Sequence, residues 1–329
     1  MLIILIATQS AKGGISDIEF FGYKGVDVSR IRKALPVREG DAYSDEVKIS
    51  IRRAIMAEIG KEPSDVVAIC CDDQGNRLLF IGLLGDSTRD FAYHPEPKGR
   101  ERLPGSVIEL YKSLDRKLEN AVKRGGDSAK EDDSQGYSLS NDPSVRDLQL
   151  SVRQWAVKNE RTLVSVLESS SIVRHRQVAS DALGYGLQSE QQIRALVSAA
   201  RDPDDEVRNN ATRALGVLLR SNTKLAEKIH AETFIEMLNS GRWSDRNKAA
   251  ALLDGLTAKR SPRLLEELRL KALDSMLEMA AWRRPSHAFF VRRVLGRVAG
   301  LPEARINELA GNGPIETILE AARQMQSGK

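Results

Sequence analysis

The sequence predicts a small α+β domain followed by an all-α array of repeated helix pairs, and three observations carry that reading. Residues 15–21 are rich in β-branched and aromatic side chains and stop at Gly22, which is how a strand reads. From residue 143 onward the helical period of apolar side chains runs almost unbroken. Within that region "RQVASDALG" (Arg176–Gly184) and "RNNATRALG" (Arg208–Gly216) align without gaps, 32 residues apart. Self-similarity at such a period marks stacked supersecondary units.

At 329 residues the chain has room for two or three domains, and 41% hydrophobic with 29% charged residues is the composition of a folded protein. Aromatics make up only 5%, which suits helices packed on Leu, Ala and Val. The net charge of +4 is unevenly spread. Between residues 240 and 310 there are 14 Lys plus Arg against 8 Asp plus Glu, so the remainder is slightly acidic. Such a regional excess speaks to partners rather than to fold. The only two cysteines, Cys70 and Cys71, are adjacent. Neighbouring strand side chains point to opposite faces, so a bridge between them would be strained, and both are expected to be strand filler. Residues 1–14 contain the apolar run Leu2–Ala7. It lacks a basic n-region and is short for an h-region, so it fits either a residual export signal or a strand. No stretch approaches the roughly 20 apolar residues of a transmembrane helix.

The first domain is assigned to residues 15–86. After the opening strand, Asp27 and Ser29 offer cap oxygens for a short helix carrying Val28, Ile31 and Leu35, which Pro36 ends. Ser44 is a good N-cap for the next helix, with Asp45 and Glu46 at the positive end of its dipole. Val47, Ile51, Ile55 and Ile59 form a core-facing stripe there, and Gly60 and Pro63 stop it. "VVAICC" (Val66–Cys71) and "RLLFIGLL" (Arg77–Leu84) then flank "DDQGN" as a hairpin. The order is β-α-α-β-β, with both helices expected on one sheet face and open edges expected at the first and last strands. This order, with "VREGDAYS" ahead of the second helix, resembles the POTRA domain over Ile15–Leu84. The resemblance implies a bacterial protein outside the cytoplasm, periplasmic or secreted. It also implies that partner polypeptides are held by adding a strand to a sheet edge, where unpaired backbone groups accept an extended peptide.

Residues 87–142 read as a linker with one helix. "HPEPKGRERLPG" is loop-like, and Ser106 then caps a helix over 106–124 whose apolar side includes Val107, Tyr111, Leu114 and Leu118. "DSAKEDDSQGYSLSNDP" (Asp127–Pro143) is a long polar loop. Its Glu131, Asp132 and Asp133 are hard-cation donors in type, but three consecutive acids do not reproduce alternating calcium ligands, so a solvated or helix-capping loop is expected.

Over residues 143–329 the copies continue. "RNKAAALLDG" (Arg246–Gly255) keeps Arg246, Ala249 and Leu253 in register 38 residues further on, and "AFFVRRVLG" (Ala288–Gly296) keeps the Leu-Gly end but loses the leading arginine. Each copy follows a partner helix: "RTLVSVLES", "QIRALVSAA", "TFIEMLNS" and "LKALDSMLEMA". The stretch "LVSAARDPDDEVRNNATRALGVL" resembles HEAT repeats, a resemblance that covers Pro143 to the C-terminus and implies an all-α solenoid. In such a stack Ala211, Ala214 and Ala249 permit close helix approach, Leu215 fills between layers, and Gly184 and Gly216 allow tight contact. Arg176, Arg208 and Arg246 are expected to be structural, Arg208 pairing with Asp202, Asp204 or Asp205. Stacked helix pairs present extended surfaces that bind other macromolecules.

No catalytic constellation is legible, and no catalytic, cofactor or metal residues are expected. His94, His175, His230 and His287 form no HExxH motif and no i, i+4 pair. No His-Glu dipeptide occurs, which argues against the HEAT-type di-iron hydroxylases, and there is no GxSxG, Walker or GxGxxG motif. The candidate macromolecule contact is Arg283, Arg284, Arg292, Arg293 and Arg297 beside Trp282, since guanidinium forks with an indole suit phosphate or an acidic peptide. The expected function is a non-catalytic scaffold or adaptor that binds polypeptides. A nucleic-acid-binding solenoid using the 283–297 cluster is the alternative, and an enzyme of unknown reaction is a further one.

Overall fold

The computed structural model describes residues 13–70, 72 and 74–327; the Leu2–Ala7 run and Cys71 lie outside them. Strand β1 (Ile15–Phe21) leads to α1 (Val28–Ala34), capped by the Asp27 carboxylate, which accepts from the Ser29 and Arg30 amides. Ser44 caps α2 (Asp45–Ile59), and Gly60 ends it in the left-handed conformation. β2 (Asp65–Cys70) and β3 (Arg77–Gly82) form the antiparallel hairpin, turned at Gly75, where φ is +81°. β1 pairs parallel to β3, so the sheet order is β1-β3-β2 and the last strand is central. The open edges therefore belong to β1 and β2: the first strand lies at an edge as expected, and the last does not. The reason is the parallel pairing, whose crossover α1 and α2 supply.

The chain then builds α3 (Gly105–Arg124), a short hairpin of β4 (Glu131–Asp132) and β5 (Leu139–Ser140), α4 (Pro143–Lys158) and two helix pairs, α5 (Glu160–Ser169) with α6 (Val173–Leu183) and α7 (Glu190–Ala199) with α8 (Asp205–Ser221). Further pairs are α9 (Glu232–Met237) with α10 (Trp243–Leu256) and α11 (Pro262–Ala280) with α12 (Pro285–Val298), followed by α13 (Glu303–Ala310) and α14 (Glu316–Ser327). Among the described residues no helix is long and apolar enough to cross a membrane.

Packing divides the chain into two compact units: residues 92–233 form one, and the sheet region up to Phe91 joins Phe234 onward in the other. The segment 15–86 therefore shares its core with α10–α12, and residues 92–142 are packed structure rather than linker. Side-chain alternation explains the first point. Ile18, Phe20, Val66, Leu79 and Ile81 meet Ile31, Ile51 and Ile55 on the helix side of the sheet. Phe80 points the other way, and its ring stands 5.1 Å from that of Trp243, 4.9 Å from Trp282 and 5.5 Å from His287. β3 is buried at every position, as a strand covered on both faces must be.

His287 in that second layer is only 7% exposed, and burial, reinforced by the Lys248 and Arg284 charges, lowers its pKa to about 4. The imidazole is therefore neutral in the fold. Below an ordinary histidine pKa near 6.5 the unfolded chain takes a proton that the folded chain refuses until about pH 4. Stability conferred by neutral His287 is thus complete above pH 6.5 and declines as pH falls toward 4, by about 3 kcal/mol. Urea midpoints measured across that window for wild type and His287→Phe test this. The wild type loses the larger amount; parallel profiles would refute it.

In the 92–233 unit a Cβ on Gly184 would lie 3.1 Å from that of Ala214, so α6 and α8 touch closely there. Gly216 is different: the nearest atom is the Arg220 guanidinium at 3.5 Å, which leaves room for a methyl group. Ala211 and Leu215 are fully buried beside it.

Candidate functional site: the repeat arginines and the segment across them

In three of the four pairs the second helix carries an arginine in its first turn, and the structure shows what that residue does. Arg176, Arg208 and Arg246 are all buried. Each donates to the carbonyl six residues earlier, in the turn of its own pair: Ser170 at 2.9 Å, Asp202 at 2.8 Å and Ser240 at 2.7 Å. Ser170 is the C-cap of α5, whereas Asp202 and Ser240 stand three residues past the ends of α7 and α9, so the guanidinium braces the turn that joins the two helices of each of these pairs. Arg176 also binds the Asp202 carboxylate in a fork at 2.9 and 3.1 Å. Arg208 adds the Pro203 carbonyl at 3.0 Å. In the fourth copy Ala288 stands at the arginine position. Arg292, one turn further along α12, reaches back instead to the Ala280 and Trp282 carbonyls at 2.9 and 2.8 Å.

Arg246 has a second partner, and it organises the sheet-bearing unit. Glu278 of α11, 5% exposed, accepts from the Gly22, Tyr23 and Lys24 amides at 2.7, 2.9 and 2.9 Å and from the Ser87 hydroxyl at 2.5 Å. The Arg246 guanidinium stands 3.5 Å away. Three successive amides after β1 make a concave anion site that the carboxylate fills. Burial lowers the Arg246 pKa to about 10, against the opposing pull of Glu278.

The basic cluster is engaged in the same unit. Arg283 pairs with Glu39 and, at 3.2 Å each, with Glu19 and Asp17; Arg284 pairs with Asp17 and lies 3.5 Å from Asp72. Trp282 donates its indole N–H to the Phe20 carbonyl at 3.0 Å. Arg293 and Arg297 share Asp254 and Glu303, at 2.7 to 3.0 Å, and Arg292 and Arg297 are buried. Those guanidiniums hold the Glu303 pKa down to about 2. The acidic partner suggested by the arginines is thus largely internal, and β1 supplies much of it.

The polar 127–143 loop is a hairpin tied to α8. Glu131 pairs with Arg213 and Asp133 with Arg220, each at 2.5 Å, while Asp132 accepts from the Ser134 amide at 3.0 Å. Among the described residues no group of three or more His, Cys, Asp or Glu stands ready to hold a metal ion. His94 and His230 are exposed. The His175 Nδ1 accepts from the Leu103 amide at 2.8 Å, and burial lowers its pKa.

Sequence reasoning missed two features. Glu278 is a single acid in the buried stripe of "LKALDSMLEMA", and a charge at a core position was the available signal. The Pro- and Gly-rich stretch after Phe91 lies extended along the ends of α5 and α7, roofing a cavity of about 300 Å3. In the sheet-bearing unit a second cavity, of about 200 Å3, is lined by Asp86, Ser87, Arg89, Asn239 and residues 269–274 of α11.

Residues 160–254 match the family model for HEAT repeats, which agrees with the helix pairs α5–α10. Among solved structures, the chain is similar to a designed armadillo repeat protein in complex with the peptide (KR)4, at 13% identity and a TM-score of 0.39, covering 58% of this chain and 97% of that one. A second designed armadillo repeat protein is 16% identical with a TM-score of 0.37, covering 58% and 95%. An engineered protein is 16% identical with a TM-score of 0.40, covering 68% and 98%. No curated protein matches the chain in sequence.

Proposed function

We propose that this protein is a non-catalytic scaffold that holds other polypeptides through its HEAT-type helix pairs and through a POTRA-like sheet over residues 15–86, outside the cytoplasm. The observation that carries the reading is the arginine register. Arg176, Arg208 and Arg246 make the same bond to the carbonyl six residues back, so each pair is locked from inside. Helix pairs built in this way leave their outer surfaces to macromolecular contact. The β2 edge adds a second mode, since it pairs with no further strand among the described residues and offers backbone groups to an extended peptide.

The test is crosslinking capture by the full chain from a cell-envelope fraction, with polypeptides identified by mass spectrometry, alongside a duplex DNA titration. Specific polypeptides and no retained DNA at about 50 mM salt are expected. DNA binding that weakens steeply as salt rises, with no polypeptide captured, would overturn the proposal in favour of a nucleic-acid role. Recovery of the protein only from cytoplasm would remove its extracytoplasmic part.

A further inference from the structure

Residues 92–103 lie extended against the helix pairs of the 92–233 unit, and their mode of attachment is unusual for a connecting segment. The His94 amide donates to the Arg201 carbonyl at 2.7 Å, and five residues on the Gly99 amide donates to the Ser169 carbonyl at 2.7 Å. Those two acceptors are equivalent positions of successive repeats, separated by the same 32 residues as Arg176 and Arg208. Gly99 also forms a parallel bridge with Ser170, and its carbonyl accepts from the Ser171 amide at 3.0 Å. The repeat arginines reach the same segment: Arg176 lies 3.3 Å from Glu96, and Arg208 stacks 4.4 Å from the Tyr93 ring. Each pair thus presents an end carbonyl and an arginine to an extended backbone.

The Arg201 guanidinium adds a bond to the Ala92 carbonyl at 3.1 Å, and the segment buries little side-chain surface of its own. Every residue from Ala92 to Arg102 is exposed except the half-buried Pro97 and Gly99, and Leu103 is the first buried side chain. The cavity of about 300 Å3 beneath His94–Pro97 is floored by Leu167, Ala195 and Ala199, so the segment covers the groove without filling it. Lifting it off would break these main-chain bonds, the Tyr93 stacking and the Glu96 pair, whose Arg176 is buried and keeps Asp202 as its partner, while uncovering no buried apolar side chain of the segment's own. Such segments open at much lower free energy than the helices beneath them.

The geometry points to residues 92–99 being an exchangeable internal ligand, which occupies a site on the α5–α8 pairs suited to the extended backbone of another polypeptide. This rests on the scaffold reading above and specifies the partner. A competing segment would be extended and would carry a longer apolar side chain at the place of Pro95 or Pro97. It would bear an acid opposite Arg176 and a glycine at the place of Gly99, where a Cβ would come within 2.5 Å of the Ser169 carbonyl oxygen.

Two measurements test it on the full chain. By amide hydrogen exchange, His94 and Gly99 should exchange roughly a hundredfold faster than the core amides of α6 and α8. Gly99→Val should expel the segment by that clash, so a labelled peptide of residues 90–104 should bind the variant roughly tenfold more tightly than wild type in fluorescence anisotropy. Equal exchange protection overturns the inference, as does failure of the peptide to bind a variant whose helical circular dichroism is intact. Should Gly99→Val lose that signal, His94→Pro, which deletes one donor without adding bulk at residue 99, takes its place in the binding comparison. Captured polypeptides with an unexchanging segment would sink this inference and leave the scaffold reading standing; an exchanging segment with no captured polypeptide would do the reverse.

Discussion

Glu278→Ala is expected to destabilise the sheet-bearing unit by about 3–5 kcal/mol, the cost of stripping one partner from a buried charged pair. The substitution leaves the Gly22, Tyr23 and Lys24 amides without their acceptor and the Arg246 guanidinium without its buried counter-charge. Unpaired buried donors lose their full desolvation energy, which makes the loss larger than that of any single hydrogen bond. Glu278→Gln should cost less, since its amide oxygen can still accept from part of the donor set. Tryptophan fluorescence in urea reports on this region because Trp243 and Trp282 both pack against Phe80. A Glu278→Ala midpoint equal to wild type would mean that the clasp between β1 and α11 contributes nothing.

Arg176→Met should cost a similar amount, about 3–5 kcal/mol, in the 92–233 unit, because it leaves the Asp202 carboxylate buried without a counter-charge and the Ser170 carbonyl without its donor. The informative comparison is the double variant Arg176→Met, Asp202→Asn. Removing both charges abolishes the unpaired ion, so the double variant should be more stable than the sum of the single losses predicts. Thermal unfolding followed by circular dichroism measures each loss. Strict additivity would show that the arginine and the aspartate act independently.

The repeat arginines were legible as a recurring letter, and the helix pairs followed from the apolar period around them. The bonding of those arginines was not legible, because their acceptors are backbone carbonyls six residues away that leave no trace in side-chain identity. Charge counting failed differently. Arg283 meets Glu19 across 264 residues of chain, so a local sum over 240–310 registers the cations and cannot register the acids that neutralise them. The hairpin of β2 and β3 could be read from its turn, whereas the central place of β3 depended on a distant parallel pairing. The segment after Phe91 looked like linker because it buries almost no side chains and so has no apolar rhythm to detect.

The shared core of the sheet and α10–α12 also bears on how this chain is made. As the polypeptide leaves the ribosome, Phe80 emerges long before Trp243, Trp282 and His287, which are to cover it. At ordinary rates of synthesis that interval is on the order of ten seconds or more. During it, the nascent sheet has one apolar face bare while residues 92–233 can already fold among themselves. A sheet synthesised before its cover is thus among the last elements to be completed, and a chaperone arriving in that interval would find Phe80 and its neighbours as its landing place.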